Sequence, residues 1–321
     1  MKNKLFSSLV FVLGLSLVSC SDSPFRSPTS PSRGGPDVPG ERTSSDVKDW
    51  SPYIGIHTTY EAEGAYKEVV KLLKQNGKIL GARVGFSRGE NFHNRVISML
   101  NDEGVKLLGI VDNFYLIYDG ENIERKIDEI IRVYPYVKYL QIGNEYTTIV
   151  FQGDSSLRKD DPRVTTEYYM KVFNRIYNHV TRNYPDITLL TYSILGSGQR
   201  GPDELEKMFN LGLRNMDRQK VIVAINCYSA GDASLYSGTL NRLGRYRVWV
   251  TESGYDNPDR HLDHVKYEYP AIKNILRAER IYWYVLWERT SFRLIDDFPD
   301  SQSPARWFSP LFKALISQGG E

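Results

Sequence analysis

From residue 53 onward the apolar side chains of this sequence recur in two alternating rhythms. Short runs rich in Val, Ile, Leu and Tyr occupy 53–57, 79–86, 105–111, 137–142, 187–193, 221–225, 246–251 and 281–286. They are strand-length and nearly unbroken, as strands covered on both faces are. Between them, apolar residues fall three and four apart at 62–75, 91–101, 123–133, 165–183, 202–216, 262–277 and 304–317. That spacing predicts one buried face of a helix, and 234–243 reads as a shorter helix or turn. Gly104 supplies a C-terminal stop for the second helix, and Pro202 sits in the first turn of the fifth. A long polar loop spans 146–162.

Eight strand-then-helix units imply an α/β fold with a parallel sheet, and the length suits a (β/α)8 TIM barrel. An open doubly wound sheet is the alternative. It usually carries a glycine-rich phosphate turn after its first strand, but here that turn is Ile56-His57-Thr58-Thr59-Tyr60, and no P-loop occurs elsewhere. The expected barrel domain covers 48–321. Ahead of it the pattern changes twice. Residues 1–19 combine Lys2 and Lys4 with an apolar stretch too short to cross a bilayer, which predicts a signal peptide. Residues 20–47 are Ser, Pro, Gly and Arg with few apolar side chains, which predicts a flexible tether.

Composition then narrows the function. A net charge of +2 with no Lys/Arg run gives no footprint for a nucleic acid. Two cysteines, Cys20 and Cys227, cannot make a disulfide framework, and Cys227 reads as a small buried apolar residue. His261-Leu262-Asp263-His264 is the nearest approach to a metal cluster and reads instead as a solvated helix start. No G-x-S-x-G elbow is present for a serine nucleophile.

The chemistry concentrates where strands end. In a barrel those ends converge on one face, and they bear His57, Arg83, Asp112, Asn113, Asn144, Glu145, Tyr192, Asn226, Tyr228, Glu252, Trp287 and Glu288. Two strands close on a glutamate: Tyr139-Leu140-Gln141-Ile142-Gly143-Asn144-Glu145, and Arg247-Val248-Trp249-Val250-Thr251-Glu252-Ser253-Gly254. A pair of carboxyls meeting from two strands is what glycosidic bond cleavage uses, one protonated to assist the leaving oxygen and one ionised.

With Asn-Glu ending the fourth strand and a glutamate ending the seventh, the sequence resembles the clan A retaining glycoside hydrolases, without matching one family among them. The resemblance implies Glu145 as acid/base and Glu252 as nucleophile. Arg83 and Tyr228 would bond Glu252, and Asn144 the sugar 2-hydroxyl. Trp287 would floor the sugar ring, with His57 and Asn226 also at the substrate. An oligo- or polysaccharide with β-linkages is the implied substrate, and neither metal nor organic cofactor is expected. Leu17-Val18-Ser19-Cys20 resembles a bacterial lipobox, which implies lipidation of Cys20. A monomer anchored by lipid in the cell envelope, at the outer membrane or cell surface, is therefore expected. The competing reading is a carbohydrate-binding lipoprotein that uses the same barrel without turnover.

Overall fold

The computed structural model describes residues 53–56, 71, 75, 81–86, 91–147, 161–195, 198–244, 246–286, 290–295 and 308–317. The expected leader, lipobox Cys20 and tether lie outside them, as do His57, Trp287 and most of the loop 146–162.

The strands are β1 (Tyr53–Ile56), β2 (Gly81–Phe86), β3 (Lys106–Val111), β4 (Tyr139–Ile142), β5 (Thr188–Leu190), β6 (Val221–Asn226), β7 (Arg247–Ser253) and β8 (Arg280–Trp283). Each pairs in parallel with the next, and β8 returns to β1 through Tyr53 opposite Tyr282. The ring is closed, and the fold is the TIM barrel expected from the alternation.

Closure explains why the strands look uniformly apolar. Alternate side chains face two different cores. On β6, Val221, Val223 and Ile225 join the shell between sheet and helices, whereas Ile222 and Ala224 join the lumen with Leu108, Leu190, Trp249 and Tyr282. Each fully buried aliphatic side chain of this kind contributes about 1.5–3 kcal/mol. The helices supply the outer wall by the spacing read above. Ile123, Ile127 and Ile130 are the buried stripe of the helix Ile123–Val133. The helix Thr166–Asn183 is capped by Thr165, whose hydroxyl accepts from the Tyr168 N–H, and it buries Tyr169, Phe173, Ile176 and Val180.

Three expectations are corrected, and one helix is added. The run 187–193 is not one strand: β5 stops at Leu190 and pairing resumes at Ile194–Leu195. Thr191 explains the break, because its hydroxyl accepts from the Ala224 N–H at 3.0 Å in place of a backbone carbonyl. A helix at Asn113–Tyr118, capped by the Asp112 carboxylate on the Phe114 N–H, was not visible as a period in so short a segment. The helix expected at 234–243 begins earlier, at Ala230, behind its cap Ser229. Finally, His261 and His264 are buried rather than solvated, packed edge-on against Trp283. Burial pushes them down to about 4 and about 3, so both are neutral.

Candidate active site

The local devices at the end of β4 come first, because they aim two functional side chains at once. Gly143 turns the chain with φ 85, and a Cβ there would lie 2.7 Å from Asn113 Oδ1. Glycine is required on both counts. Asn113 uses that closeness: its Oδ1 accepts from the Asn144 N–H at 2.9 Å and its Nδ2 donates to the Asn144 carbonyl at 2.7 Å. Glu145 follows at φ 44, a left-handed conformation that costs a non-glycine residue of order 1 kcal/mol or more and persists only where surroundings impose it. Here the surroundings include the broken fifth strand, whose Ser193 carbonyl accepts from the Glu145 N–H at 2.9 Å.

Arg83, in the middle of β2 rather than at its end, enters the lumen 5% exposed. Its guanidinium donates in three directions: Nη1 to Glu252 Oε1 at 2.6 Å, Nη2 to Asn144 Oδ1 at 2.8 Å and Nε to Gln141 Oε1 at 2.9 Å. The other oxygen of Glu252 accepts from the Tyr228 hydroxyl at 3.0 Å. Burial and the charges of Glu252 and Glu145 hold the Tyr228 phenol well above its ordinary range, so it stays a donor. Both oxygens of Glu252 are thus bonded, one to a cation.

Glu145 has a different environment. Asn226 Nδ2 donates to its Oε1 at 2.8 Å and lies 3.4 Å from Asn144 Oδ1. Burial, reinforced by the charge of Glu252, pushes the Glu145 carboxyl up to about 7, and the Asn226 bond and Arg83 offset only part of that rise. The amide of Asn226 is held in orientation by the Thr251 hydroxyl, which donates to its Oδ1 at 3.0 Å and itself meets Ser193 Oγ at 2.6 Å. Asn144 accepts from Arg83 and Asn226 on one side of its amide, which leaves Nδ2 as the donor for a ligand.

The chain of contacts Glu252, Arg83, Asn144, Asn226, Glu145 therefore gathers six of the sequence candidates, Tyr228 included, at one mouth of the barrel. Tyr192 turns away from this site and donates to Glu204 at 2.8 Å. Asp112 acts as a helix cap. Cys227 is fully buried, its thiol pushed up to about 12 by burial.

No family model and no curated protein sequence matches this chain. Solved structures match it in fold. The GH53 catalytic domain of Ignisphaera aggregans has a TM-score of 0.54 over 86% of this chain and 98% of its own, at 13% identity. A psychrophilic glycoside hydrolase family 10 endo-β-1,4-xylanase gives 0.51 over 87% and 99%, at 13% identity. The family 51 α-L-arabinofuranosidase AbfB of Bifidobacterium longum gives 0.52 over 84% and 72%, at 10% identity. These neighbours are glycoside hydrolases on TIM barrels. At such identities the likeness is one of fold, and it singles out no family.

Several residues of the site were not singled out from the sequence. Gln141 is a lone polar residue between Leu140 and Ile142, and that interruption was the available signal; Thr251 stands directly before Glu252 at the polar end of β7. Ser193 carried no such mark. Phe292, against which the Tyr228 ring packs at 5.7 Å, lies far along the chain in a segment without periodicity.

Proposed function

We propose that this chain is a retaining glycoside hydrolase acting on β-linked oligo- or polysaccharides, with Glu145 as acid/base and Glu252 as nucleophile. The observation that carries the reading is the unequal treatment of two carboxyls at one mouth of a barrel. Glu252 receives a guanidinium at 2.6 Å and a phenol at 3.0 Å; Glu145 is raised to about 7, so a large fraction of it carries a proton at neutral pH.

The chemistry follows from those states. A Glu252 oxygen attacks the anomeric carbon while Glu145 gives its proton to the departing glycosidic oxygen, leaving a glycosyl ester on Glu252. Losing that proton costs least when Asn226 donates to the new carboxylate. Glu145 then takes a proton from water, which attacks the same carbon and frees Glu252. The Asn144 Nδ2 donor suits the sugar 2-hydroxyl. The rings of Tyr228, Phe292 and Tyr284, in successive edge contacts of 5.7 and 5.5 Å, give an apolar wall beside Glu252 for a sugar face. Trp287 and His57 are proposed to complete the substrate contacts. Support for lipid attachment at Cys20 and placement in the cell envelope comes from the sequence of 1–47 alone.

The test is hydrolysis of aryl β-glycosides and a polysaccharide panel by wild type, Glu252→Gln and Glu145→Gln, with the anomer of the first product read by proton NMR. Wild type is expected to release the β-anomer first, and Glu252→Gln to lose at least about 10³-fold in kcat. Activity in none of the three favours the binding protein without turnover, and equal activity in all three overturns the assignment of Glu145 and Glu252; an α-anomer as first product removes the covalent step.

A further inference from the structure

Gln141 touches both halves of the site. Its side chain is fully buried on β4, three residues before Asn144. Both ends of the amide are engaged: Oε1 accepts from Arg83 Nε at 2.9 Å, and Nε2 donates to the Gly143 carbonyl at 2.7 Å. A guanidinium only donates and a carbonyl only accepts, so the amide has one orientation.

Charge distinguishes the three partners of Arg83. Gln141 and Asn144 are neutral, and Glu252 is an acid. Neutral amides anchor the guanidinium without dividing its attraction between two carboxylates, an effect that matters most where the effective dielectric is low. A glutamate at this position would still reach Arg83 but would compete with Glu252 for the cation. It would also set an oxygen against the Gly143 carbonyl.

The second contact acts on the other carboxyl. Gly143 is the turn that aims Asn144 and Glu145, and its carbonyl is a handle on that turn. We propose that Gln141 is a positioning residue for catalysis, tying the cation that holds Glu252 to the turn that presents Glu145, so that one buried amide sets the register of both. The kinetic side of this proposal rests on the glycosidase reading; its electrostatic side does not.

Gln141→Glu and Gln141→Met are compared with wild type and with Ile222→Val, a lumen variant away from the site. Carbon-13 NMR of the glutamate carboxyls, with Glu145 assigned through Glu145→Gln, reads titration directly, and kcat and KM for an aryl β-glycoside are followed from acidic to alkaline pH. In Gln141→Glu the Glu145 midpoint is expected to rise above that of wild type, because a carboxylate is added and Arg83 is drawn aside, and the alkaline limb of the rate profile moves with it. In Gln141→Met kcat is expected to fall by about 10- to 100-fold with KM changed only a few-fold, the loss of a hydrogen bond to a charged group. If both variants lower the unfolding midpoint but keep the wild-type Glu145 titration and the kcat of Ile222→Val, the role is merely structural and the proposal is overturned. Should wild type cleave no glycoside, the functional reading fails by itself and the NMR arm still decides: a raised midpoint in Gln141→Glu supports the proposal, an unchanged one overturns it. If Gln141→Glu does not fold, the kcat of Gln141→Met decides instead.

Discussion

Along β7 the lumen side chain changes from Trp249 to Thr251, and the character of the barrel changes with it. Toward the N-terminal ends of the strands the lumen is an apolar plug of Leu108, Leu190, Ile222, Ala224, Trp249 and Tyr282, topped by the Arg280 guanidinium 3.9 Å from the Trp249 ring. Toward the C-terminal ends β2, β4, β6 and β7 supply Arg83, Gln141, Asn226, Thr251 and Glu252, all buried, with Arg83 bonded to Gln141 and Glu252 and Thr251 bonded to Asn226. The plug stabilises by area and tolerates small errors of fit. The polar layer gains little net stability, since desolvation cancels much of each contact, and holds only while every member has its partner. One barrel thus separates the work of staying folded from the work of fixing two carboxyls.

The widest break of that contrast comes from Arg83→Met. It strands a buried Glu252 without its cation, so the fold is expected to lose about 3–5 kcal/mol and kcat about 10²–10³-fold. Urea unfolding at neutral pH and aryl β-glycoside turnover check the two effects together. In the plug, Trp249→Ala is expected to cost a similar 3–5 kcal/mol through its cavity, yet to leave the pH–rate profile of the folded protein unchanged. A displaced profile there would mean that the two layers are coupled. The smallest effect sharpens the comparison by pH. Glu145 is raised in the fold, so its contribution to stability is present below its ordinary range near 4.5 and is lost as pH rises through about 7. Glu145→Gln keeps an acceptor for Asn226 and cannot ionise. It is therefore expected to match wild type in thermal midpoint at low pH and to exceed it above neutrality, by at most about 3 kcal/mol. Wild-type activity is expected to decline over that same rise, as the acid loses its proton.

The alternation of strand and helix, the barrel and both glutamates at strand ends were legible in the sequence because those signals are local. Periodicity needs only near neighbours, and a strand that stops at Gly143 must deliver Asn144 and Glu145 at its end. The same locality hid the rest. Thr191 breaks a run whose composition is that of any strand, and the three-residue spacing of His261 and His264 says nothing about the Trp283 that covers them.

What the chain settled alone, then, was the alternation of extended and coiled segments, and that two strands each close on a glutamate. The folded barrel decided which side chains meet. Arg83 and Glu252 are 169 residues apart in sequence and in contact at 2.6 Å, and Gln141 links them to a turn on a third strand. Such pairings depend on which face of a doubly covered strand looks into the lumen. Both faces of such a strand are buried, so hydropathy alone cannot tell them apart, and only ring closure assigns them.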